Sequence, residues 1–494
     1  MNIVLFSMPD VTPILIHQDA LHIPNLGIAS VGANIDERHS VRIADLIRKR
    51  RSVKRFIVRT LHRFEPQLVG LSAMTWQYDT CRKIIRLIKS TFPDTRIVLG
   101  GYHATLMYEE IASGPDAPLI DFIVRGEGEE TFRRLANALE DGDGLDDIPS
   151  LSFKQDGEFR HNPKGEALDL ATLKLPIRDR RRLTCGYHFN MYLMEALETS
   201  RGCTRACNFC SIRHMYGRSF RTYPIERVLA DIDDIYYRRK IRWVFISDDN
   251  MVLNPNRVIE LCDAIIGRAY RNLNFFVQAD CRSMAKHPEM VRKMGEAGFR
   301  GVFLGMENVS GANLEIMQKG ISVDFTREAV ANCHSNGIAV VGGLIFGLPE
   351  DDHQSIIDNY QFLKDVGSDA AYCQIITPYP KTEIRKTLLE QGLVTNPDDY
   401  RWYDGTWANV RTRHLDQDTL QYHFWYYRQT VLGMWKPTRQ TSGAGMLWAL
   451  MWKIASPMVR LGIKFNTRRY GWRGRYERIM AKKRKINNFK DLAE

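Results

Sequence analysis

The stretch "RGCTRACNFC" (residues 201–210) places three cysteines, Cys203, Cys207 and Cys210, within eight positions. No second cysteine pair occurs at a matching spacing, so the pattern does not indicate a closed four-ligand zinc site. Iron-sulfur clusters are held by thiolates, and three thiolates on a four-iron cube leave one iron open. The stretch therefore predicts a 4Fe-4S cluster whose fourth iron binds something other than a cysteine.

The segments around this cluster motif predict a second α/β unit in the chain. Six strand-like runs are separated by helical stretches: "LMEALETS" (193–200), "WVFISDD" (243–249), "NFFVQAD" (274–280), "GVFLGME" (301–307), "AVVGGLIFG" (339–347) and "AAYCQIITP" (370–378). Parallel strands joined by crossover helices favour a partial barrel, whose chemistry lies at the carboxyl ends of the strands. The cysteines follow the first of these strands, so the cluster is expected at that end.

The first 150 residues predict a separate α/β domain. Strand-like runs at 2–7, 40–46, 68–74, 96–101 and 122–128 alternate with helical candidates at 27–37, 78–92 and 129–141. This alternation is typical of a doubly wound, Rossmann-like parallel sheet that binds ligands beyond the carboxyl ends of its strands. We therefore expect domains at 1–150 and 191–395, a connector at 151–190 that begins with a hairpin, and a mostly helical region at 396–494.

Composition narrows the class of protein. Nine cysteines in 494 residues, most of them isolated, do not form a disulfide framework. The first residues, "MNIVLFSMPDVTP", lack a basic segment followed by a cleavage site and predict a buried strand, which favours the cytoplasm. A hydrophobic fraction of 44% is enough for packed cores, so disorder is not expected.

The cysteine spacing and the aromatic Phe209 before the third cysteine resemble the cluster motif of the radical S-adenosylmethionine (SAM) superfamily. In that family SAM chelates the open iron, and one electron from the cluster releases a 5′-deoxyadenosyl radical. The resemblance covers most of residues 190–395 and includes "ISDDN", "QADCR", "LGMEN" and "GLIFGLPED". It implies SAM contacts at Phe209, Asp248, Asp249, Gln278, Arg282, Glu307, Ile345 and Gly347.

The amino-terminal domain resembles the cobalamin-binding domain that precedes the radical barrel in anaerobic magnesium-protoporphyrin ester cyclases and cobalamin-dependent methyltransferases. The matching pieces are "PNLGIASVGANI" (24–35), "VGLSAMTWQYDT" (69–80), "VLGGYHATLMYEE" (98–110) and "VRGEGEETF" (124–132). The resemblance implies cobalamin contacts along the carboxyl edge of the sheet, at Ser72, Met74, Thr75, Trp76, Gly100, Gly101, Tyr102, His103, Gly126, Glu127 and Gly128.

One feature departs from cobalamin proteins that ligate cobalt through a histidine. Those proteins carry an Asp-x-His-x-x-Gly stretch, whereas the comparable segment here, "IADLIRKRR" (43–51), has no histidine. His103 is expected at the rim rather than on the cobalt. The lower face of cobalamin is then expected to meet a non-ligating side chain, with Met74, Thr75 and Trp76 as candidates. A cofactor-free domain whose glycines only form turns is the alternative.

The carboxyl-terminal region concentrates positive charge. Residues 466–485 carry nine Lys or Arg against the single acid Glu477, which accounts for most of the net charge of +11. Three interpretations remain open: a helical cap with a solvated end, a membrane-surface anchor that includes Trp448, Trp452 and the basic run, and an RNA-binding segment. A spanning helix is disfavoured because Pro457 and charged residues interrupt 445–465.

The leading hypothesis is a cobalamin-dependent radical SAM enzyme that methylates an unactivated carbon of a hydrophobic small molecule. Its expected cofactors are a 4Fe-4S cluster, SAM and cobalamin, and its expected protein partner is a one-electron donor of the flavodoxin or ferredoxin type. Radical oxidation or cyclisation without methyl transfer is the second hypothesis. A tRNA methylthiotransferase is disfavoured because only Cys81 lies in the amino-terminal domain. A nucleic-acid binding module with a structural metal is the non-enzymatic alternative, and nucleic acid is not the favoured partner.

Overall fold

The computed structural model describes residues 1–12, 21–179, 186–189, 192–432 and 467–492. Up to His161 the strands are β1 (Asn2–Ser7), β2 (Leu21–His22), β3 (Ser40–Asp45), β4 (Leu68–Ser72), β5 (Arg96–Gly100), β6 (Phe122–Val124), β7 (Leu151–Gln155) and β8 (Glu158–His161). The helices of this part are α1 (Leu26–Asn34), α2 (Val53–Phe64), α3 (Tyr78–Thr91), α4 (Tyr102–Leu106), α5 (Tyr108–Ala112) and α6 (Gly128–Asp141).

The first sheet has the strand order β3-β1-β4-β5-β6-β7-β8 among the described residues. Its first five strands pair in parallel, which confirms the doubly wound class. The apolar run Ile3–Phe6 in β1 is buried on both faces because helices cover both sides of the sheet. Strand order reverses between β1 and β4, and the crevice at the carboxyl ends beside such a reversal is where this fold binds ligands.

Three features of the first domain differ from the sequence-based prediction. Helix α2 was not among the predicted helices, although its buried residues Val53, Ile57, Leu61 and Phe64 follow a helical spacing. The hairpin predicted at the start of the connector forms, but β7 pairs with β6, so the hairpin extends the first sheet to His161. Strand β2 leaves the domain and joins the second sheet.

The second unit is a half-barrel. Its strands are β9 (His188–Phe189), β10 (Tyr192–Leu197), β11 (Ser200–Arg201), β12 (Arg221–Thr222), β13 (Trp243–Ile246), β14 (Asn274–Asp280), β15 (Phe299–Glu307), β16 (Ala339–Phe346) and β17 (Ala370–Ile375). Among the described residues its sheet has the order β17-β16-β15-β14-β13-β10-β9-β2. The six strands from β10 to β17 in this sheet pair in parallel, as predicted, while β9 and β2 add antiparallel pairs at the β10 edge.

Helices cover the outer face of the half-barrel. They are α7 (Ile212–Tyr216), α8 (Ile225–Asp233), α9 (Pro255–Gly267), α10 (Cys281–Lys286), α11 (Pro288–Glu296), α12 (Gly311–Ile316), α13 (Val323–Ser335), α14 (His353–Asp365) and α15 (Glu383–Glu390). Alternate strand residues such as Val244, Val277 and Leu304 are fully buried in the core between sheet and helices. The residues between them face the concave side of the sheet.

The carboxyl-terminal region spans both units. Helix α16 (Gln417–Tyr427) and the helical residues 467–483 pack together through Trp407, Trp425, Tyr476 and Met480. Phe489 and Leu492 then join the core of the first domain, so the chain end is not simply a solvated basic tail. None of the helices in the described ranges is both long and apolar enough to cross a membrane. The apolar stretch 445–465 lies outside the described residues.

Candidate functional site

The carboxyl edges of the two sheets face each other. Tyr102 follows the last residues of β5, and its phenol lies near Tyr216, Asp249 and Cys210 of the half-barrel. Burial, together with these neighbours, raises the pKa of Tyr102 well above its usual value. Helix α4, which begins at Tyr102, contacts α7 directly after the cysteine motif. The edge predicted to hold cobalamin therefore adjoins the loop predicted to hold the cluster.

The cysteine loop begins at a glycine that no other residue replaces without strain. Gly202 has a φ of +85°, and its backbone N–H donates to Asp249 Oδ2 at 3.0 Å. A Cβ at this position would lie 2.3 Å from the carbonyl oxygen of Ser219. The motif therefore requires glycine at position 202 for two reasons: the backbone has a positive φ there, and another backbone segment lies too close for a side chain.

The three cysteines of the motif are free thiols in a shared, partly buried setting. Cys207 is buried, while Cys203 and Cys210 are half-buried. Burial raises the pKa of all three thiols, that of Cys210 to about 12, and the charges of neighbouring thiols add to the shift at Cys207 and Cys210. Metal-free thiols here stay protonated, so metal binding must release protons.

Three free thiols on one loop are the type of donor that an iron-sulfur cluster takes. Within the described ranges no three His, Cys, Asp or Glu side chains close on one point as the ligands of a single metal ion would. A 4Fe-4S cube is wider than one ion and takes its thiolates at separate corners. The remaining cysteines in the described residues are buried singly in the cores: Cys81, Cys262, Cys281, Cys333 and Cys373.

The structure gives Asp248 and Asp249 different roles. Asp248 is 1% exposed, and its oxygens accept from the backbone N–H of Thr199 at 2.7 Å and from the hydroxyls of Thr199 and Ser200. These bonds hold the end of the first strand, and the SAM contact at Asp248 stays a prediction. Asp249 is half-buried and binds Gly202, and burial raises its pKa to about 7.

A polar network behind Cys203 was missed by sequence reasoning. Asp280 accepts from Asn250 Nδ2 at 2.9 Å and from Arg205 Nη2 at 3.1 Å. Asn250 also lies beside the Cys203 thiol, where it opposes the rise in the thiol pKa that burial causes. These residues fall within "ISDDN", "QADCR" and the motif itself, so their positions after strands were the available signal. Gln278 reaches the backbone oxygen of Asp248 at 3.4 Å, and Arg282 is half-buried nearby.

Glu307 ends β15 in a strained conformation and pairs with a buried lysine. Its φ is +62°, and the strand register shifts between Gly305 and Glu307. Lys319 Nζ lies 2.5 Å from Glu307 Oε1, and both side chains are largely buried. The ammonium also acts on Cys207, where burial raises the thiol pKa and Lys319 lowers it. Lys319 carries no sequence signal because it lies in an irregular loop.

The glycine-rich turn after β16 is held by buried polar groups. Asp351 is fully buried and accepts from the backbone N–H of Gly347 at 2.7 Å, while Asn308 Nδ2 donates to the oxygen of Ile345 at 3.2 Å. The space beside the Gly347 Cα is filled by Leu420 of α16. The adenine contacts at Ile345 and Gly347 therefore remain predictions. Phe209 packs partly buried against the half-barrel core.

The carboxyl edge of the first sheet also depends on a glycine. Gly101 has a φ of +91°, and a Cβ there would lie 2.8 Å from the oxygen of Ala73 and 2.9 Å from Ser72 Oγ. At Gly100 the nearest atom to a Cβ would be 3.8 Å away, and at Gly126 the space is open within 4 Å. This glycine-lined edge beside half-exposed Ser72 fits the approach of a large cofactor to the backbone.

The three residues of the loop after β4 that were predicted to meet the lower face of cobalamin differ in their exposure to solvent. Met74 is 42% exposed, Trp76 is half-buried, and Thr75 is only 3% exposed. Residues 75–77 pack against residues 400–402 of the carboxyl-terminal region. Met74 is thus the most exposed of the three candidates and Thr75 the least, and their contacts with cobalamin stay predictions.

His103 is buried instead of lying at the rim as predicted. It is 2% exposed and its ring packs between those of Tyr78 and Tyr400, with centroid distances of 4.1 and 5.5 Å. Burial lowers its pKa to about 3, so the imidazole is neutral. Its Nδ1 has no hydrogen-bond partner among the described residues.

Glu127 joins the two units instead of forming part of the cofactor rim as predicted. It pairs with Arg201 at 3.0 Å and Arg221 at 2.9 Å, both from the half-barrel. Arg201 also pairs with Glu129 at 2.7 Å. Gly128 begins α6 and lies against Val31 and Val124.

Family models match both units. One described as the B12 binding domain matches residues 13–136, and one described as the Radical SAM superfamily matches residues 197–363. The chain thus carries a B12-binding domain followed by a radical SAM domain, with cobalamin, SAM and a 4Fe-4S cluster as the cofactors.

Several known proteins are similar over most of the chain. An uncharacterized methyltransferase of Pyrococcus horikoshii is 27% identical over 83% of this chain and 89% of that protein. An anaerobic magnesium-protoporphyrin IX monomethyl ester cyclase of Rubrivivax gelatinosus is 23% identical over 73% of this chain and 68% of that protein. The structure of a radical SAM methyltransferase, TsrM from Kitasatospora setae, matches with a TM-score of 0.65 and 18% identity over 79% of this chain and 75% of that chain. This last match shows a shared fold.

Proposed function

Since this chain is a cobalamin-dependent radical SAM enzyme, we propose that it methylates an unactivated carbon of an apolar small molecule. The observation that carries the proposal is the contact between the two carboxyl edges, where Tyr102 beside Gly101 lies near Cys210. When bound, the cluster supplies the electron that cleaves SAM, and cobalamin supplies a transferable methyl group. The similarity to a methyltransferase over most of the chain supports the proposal.

The protein's own contribution is to hold the two cofactor sites together. Arg201 directly precedes the Gly202 turn and anchors it to Glu127 and Glu129 at the start of α6. Lys381 and Glu110 form a second ion pair between the units, at 2.9 Å. Fixing reacting groups in one geometry lowers the entropic part of the barrier.

The concave face of the half-barrel supports an apolar substrate. Phe245, Phe276 and Phe303 point away from the buried helix-side core, and they are half-exposed. The rings of Phe245 and Phe276 lie 5.9 Å apart, and those of Phe303 and Tyr372 lie 5.7 Å apart. Aromatic side chains on a concave surface favour apolar ligands and exclude water from the reaction.

Two of these rings occupy space that glycines on the neighbouring strands leave open. A Cβ at Gly301 would lie 2.6 Å from the Phe276 ring, and one at Gly343 would lie 2.4 Å from the Phe303 ring. The aromatic layer is thus accommodated by residues on the adjacent strands.

A second candidate function is radical oxidation or cyclisation without methyl transfer. The similarity to an ester cyclase over 73% of this chain favours it. The two candidates predict different fates for the methyl group of SAM.

The test is anaerobic reconstitution with iron and sulfide, followed by reductant, cobalamin and SAM labelled in its methyl group. Methyl transfer predicts label in protein-bound cobalamin and release of 5′-deoxyadenosine. Deoxyadenosine without labelled cobalamin favours cyclisation or oxidation, and neither product from a fully loaded protein contradicts both. Cys203→Ala, Cys207→Ala and Cys210→Ala are expected to lose the cluster iron, whereas Cys262→Ala, a buried core cysteine, keeps it.

A further inference from the structure

We propose that the exposed basic surface of residues 467–485 docks on an anionic lipid bilayer. The surface, called here the basic face, consists of Arg468, Arg469, Arg473, Arg478, Lys482, Arg484 and Lys485. The proposal is independent of the chemistry at the cofactor site. Its physical basis is a set of solvent-exposed cations on a segment whose apolar residues are packed against the protein.

One side of the helix at 467–483 packs against the rest of the protein. Arg475, Tyr476 and Met480 are buried, and Trp472 and Ile479 are half-buried against the same aromatic cluster. These positions recur at intervals of three or four residues, so they share one side of the helix. The cations Arg473, Arg478 and Lys482 flank this buried side and are exposed to solvent, with Arg473 also packed over the Tyr422 ring at 5.0 Å.

Little on the protein neutralises the basic face. The one acid between residues 467 and 485 is Glu477, which lies 3.6 Å from Arg473. Across the described residues, no other member of the basic face has an acidic partner within salt-bridge distance. A cluster of cations beside an anionic leaflet is attracted to it, each charge adding to the binding.

The aromatic residues of the helix favour a bilayer over nucleic acid. Tyr470 is covered by Arg478 at 3.4 Å and Arg469 at 5.2 Å from its ring centroid, and Trp472 packs on Trp425 and Tyr426. These rings are not free to stack on bases, which sequence-independent nucleic-acid binding uses. The sequence just before the helix, residues 445–465, is rich in Trp, Leu and Met, a composition typical of interfacial segments.

One loop, which contains Gly405 and Trp407, lies between the basic face and strand β17 of the half-barrel. Arg484 contacts the ring of Trp407, and the same loop packs Gly405 on Gln374 of β17. The backbone N–H of Ile375 donates to the oxygen of Gly405 at 2.9 Å. A bilayer on this face would deliver an apolar molecule near the concave side, a consequence that rests on the proposed function.

The test is co-sedimentation of the reconstituted full chain with vesicles of phosphatidylcholine alone or mixed with phosphatidylglycerol. We expect binding to the anionic vesicles that weakens with salt. The variant Arg468→Gln/Arg469→Gln/Lys482→Gln/Lys485→Gln should bind at least about tenfold more weakly. The control Arg55→Gln/Arg59→Gln/Arg63→Gln/Lys386→Gln removes as much exposed charge elsewhere and should bind as the wild type does.

Equal binding to both vesicle types, retained binding of the basic-face variant, or an equal loss in the control would overturn the proposal. Displacement from the vesicles by RNA at equal phosphate concentration would also overturn it, in favour of the nucleic-acid interpretation. Iron content and circular dichroism show that the variant is folded. Methyl transfer to cobalamin in solution should be the same in the basic-face variant, so failure of the proposed function is scored separately.

Discussion

Replacement of Arg201 by methionine should destabilise the chain by breaking the buried ion network between its two units. Arg201 is paired with Glu129, Glu127 and Glu198 at 2.7, 3.0 and 3.0 Å, and the Arg201 and Glu129 side chains are 5% and 4% exposed. Removing one partner of a buried pair leaves an uncompensated charge and costs about 3–5 kcal/mol. We therefore expect a loss of about 3–5 kcal/mol in unfolding free energy at about pH 7.

The effect should depend on pH through Glu129. Burial alone would raise the pKa of this carboxyl, but Arg201 and Ser30 outweigh it and hold the pKa below 4.5, the ordinary value. The wild-type network thus stabilises the fold above the unfolded pKa and loses that contribution as the pH falls. Without Arg201 the pKa of the buried Glu129 rises above its unfolded value, so the variant loses stability as the pH increases. The gap between the two proteins should narrow from about pH 7 to about pH 5.

The assay is equilibrium urea unfolding of the metal-free chain, followed by tryptophan fluorescence, with the first transition compared between variants. The matched control is Arg292→Met, which removes an exposed pair with Glu289 and Glu296 and should leave the first transition close to that of the wild type because water screens the pair. A first transition for Arg201→Met within about 1 kcal/mol of wild type would refute the reasoning. A loss that is the same at both pH values would refute the role of Glu129.

Three further predictions concern single positions. Gly202→Ala should abolish iron incorporation because its Cβ would lie 2.3 Å from the Ser219 oxygen. The control Gly217→Ala also has a positive φ but open space around the Cβ, so it should keep most of the iron measured after reconstitution. Gly101→Ala should weaken cobalamin binding in absorbance titrations, and Gly142→Ala should not, because only Gly101 faces a backbone contact under 3 Å. Burial raises the pKa of Asp10 from 3.8 to about 7, so the fold should lose stability as the pH rises from about 4 to about 7; Asp10→Asn should flatten this decline in melting temperature, and an unchanged decline would contradict it.

Much of this protein's architecture could be predicted from local patterns in its sequence. The apolar runs and their helical spacers predicted both parallel sheets, because a strand buried on both faces leaves a continuous apolar signature. The cysteine spacing indicated the cluster loop, and Gly101 was indicated by its place after a strand, whereas the requirement for Gly202 became evident only from its contacts. Helix α2 could also have been predicted from the sequence, because its buried residues recur with a helical period: Val53, Ile57, Leu61 and Phe64.

The roles of individual polar residues depended on partners that are distant in sequence. Asp248 and Glu127 both follow strands, as site residues do. In the structure Asp248 accepts hydrogen bonds from Thr199 and Ser200. Glu127 forms ion pairs with Arg201 and Arg221.

The order of the two α/β units and the place of the cysteine loop follow from the amino-acid sequence alone, because strand burial and motif spacing are properties of neighbouring residues. The tertiary structure alone decided that β2 joins the half-barrel, that Lys319 meets Glu307, and that Phe489 packs in the first domain. These contacts join segments far apart along the chain. Charge pairing and burial between such segments depend on three-dimensional distance, which no local pattern encodes.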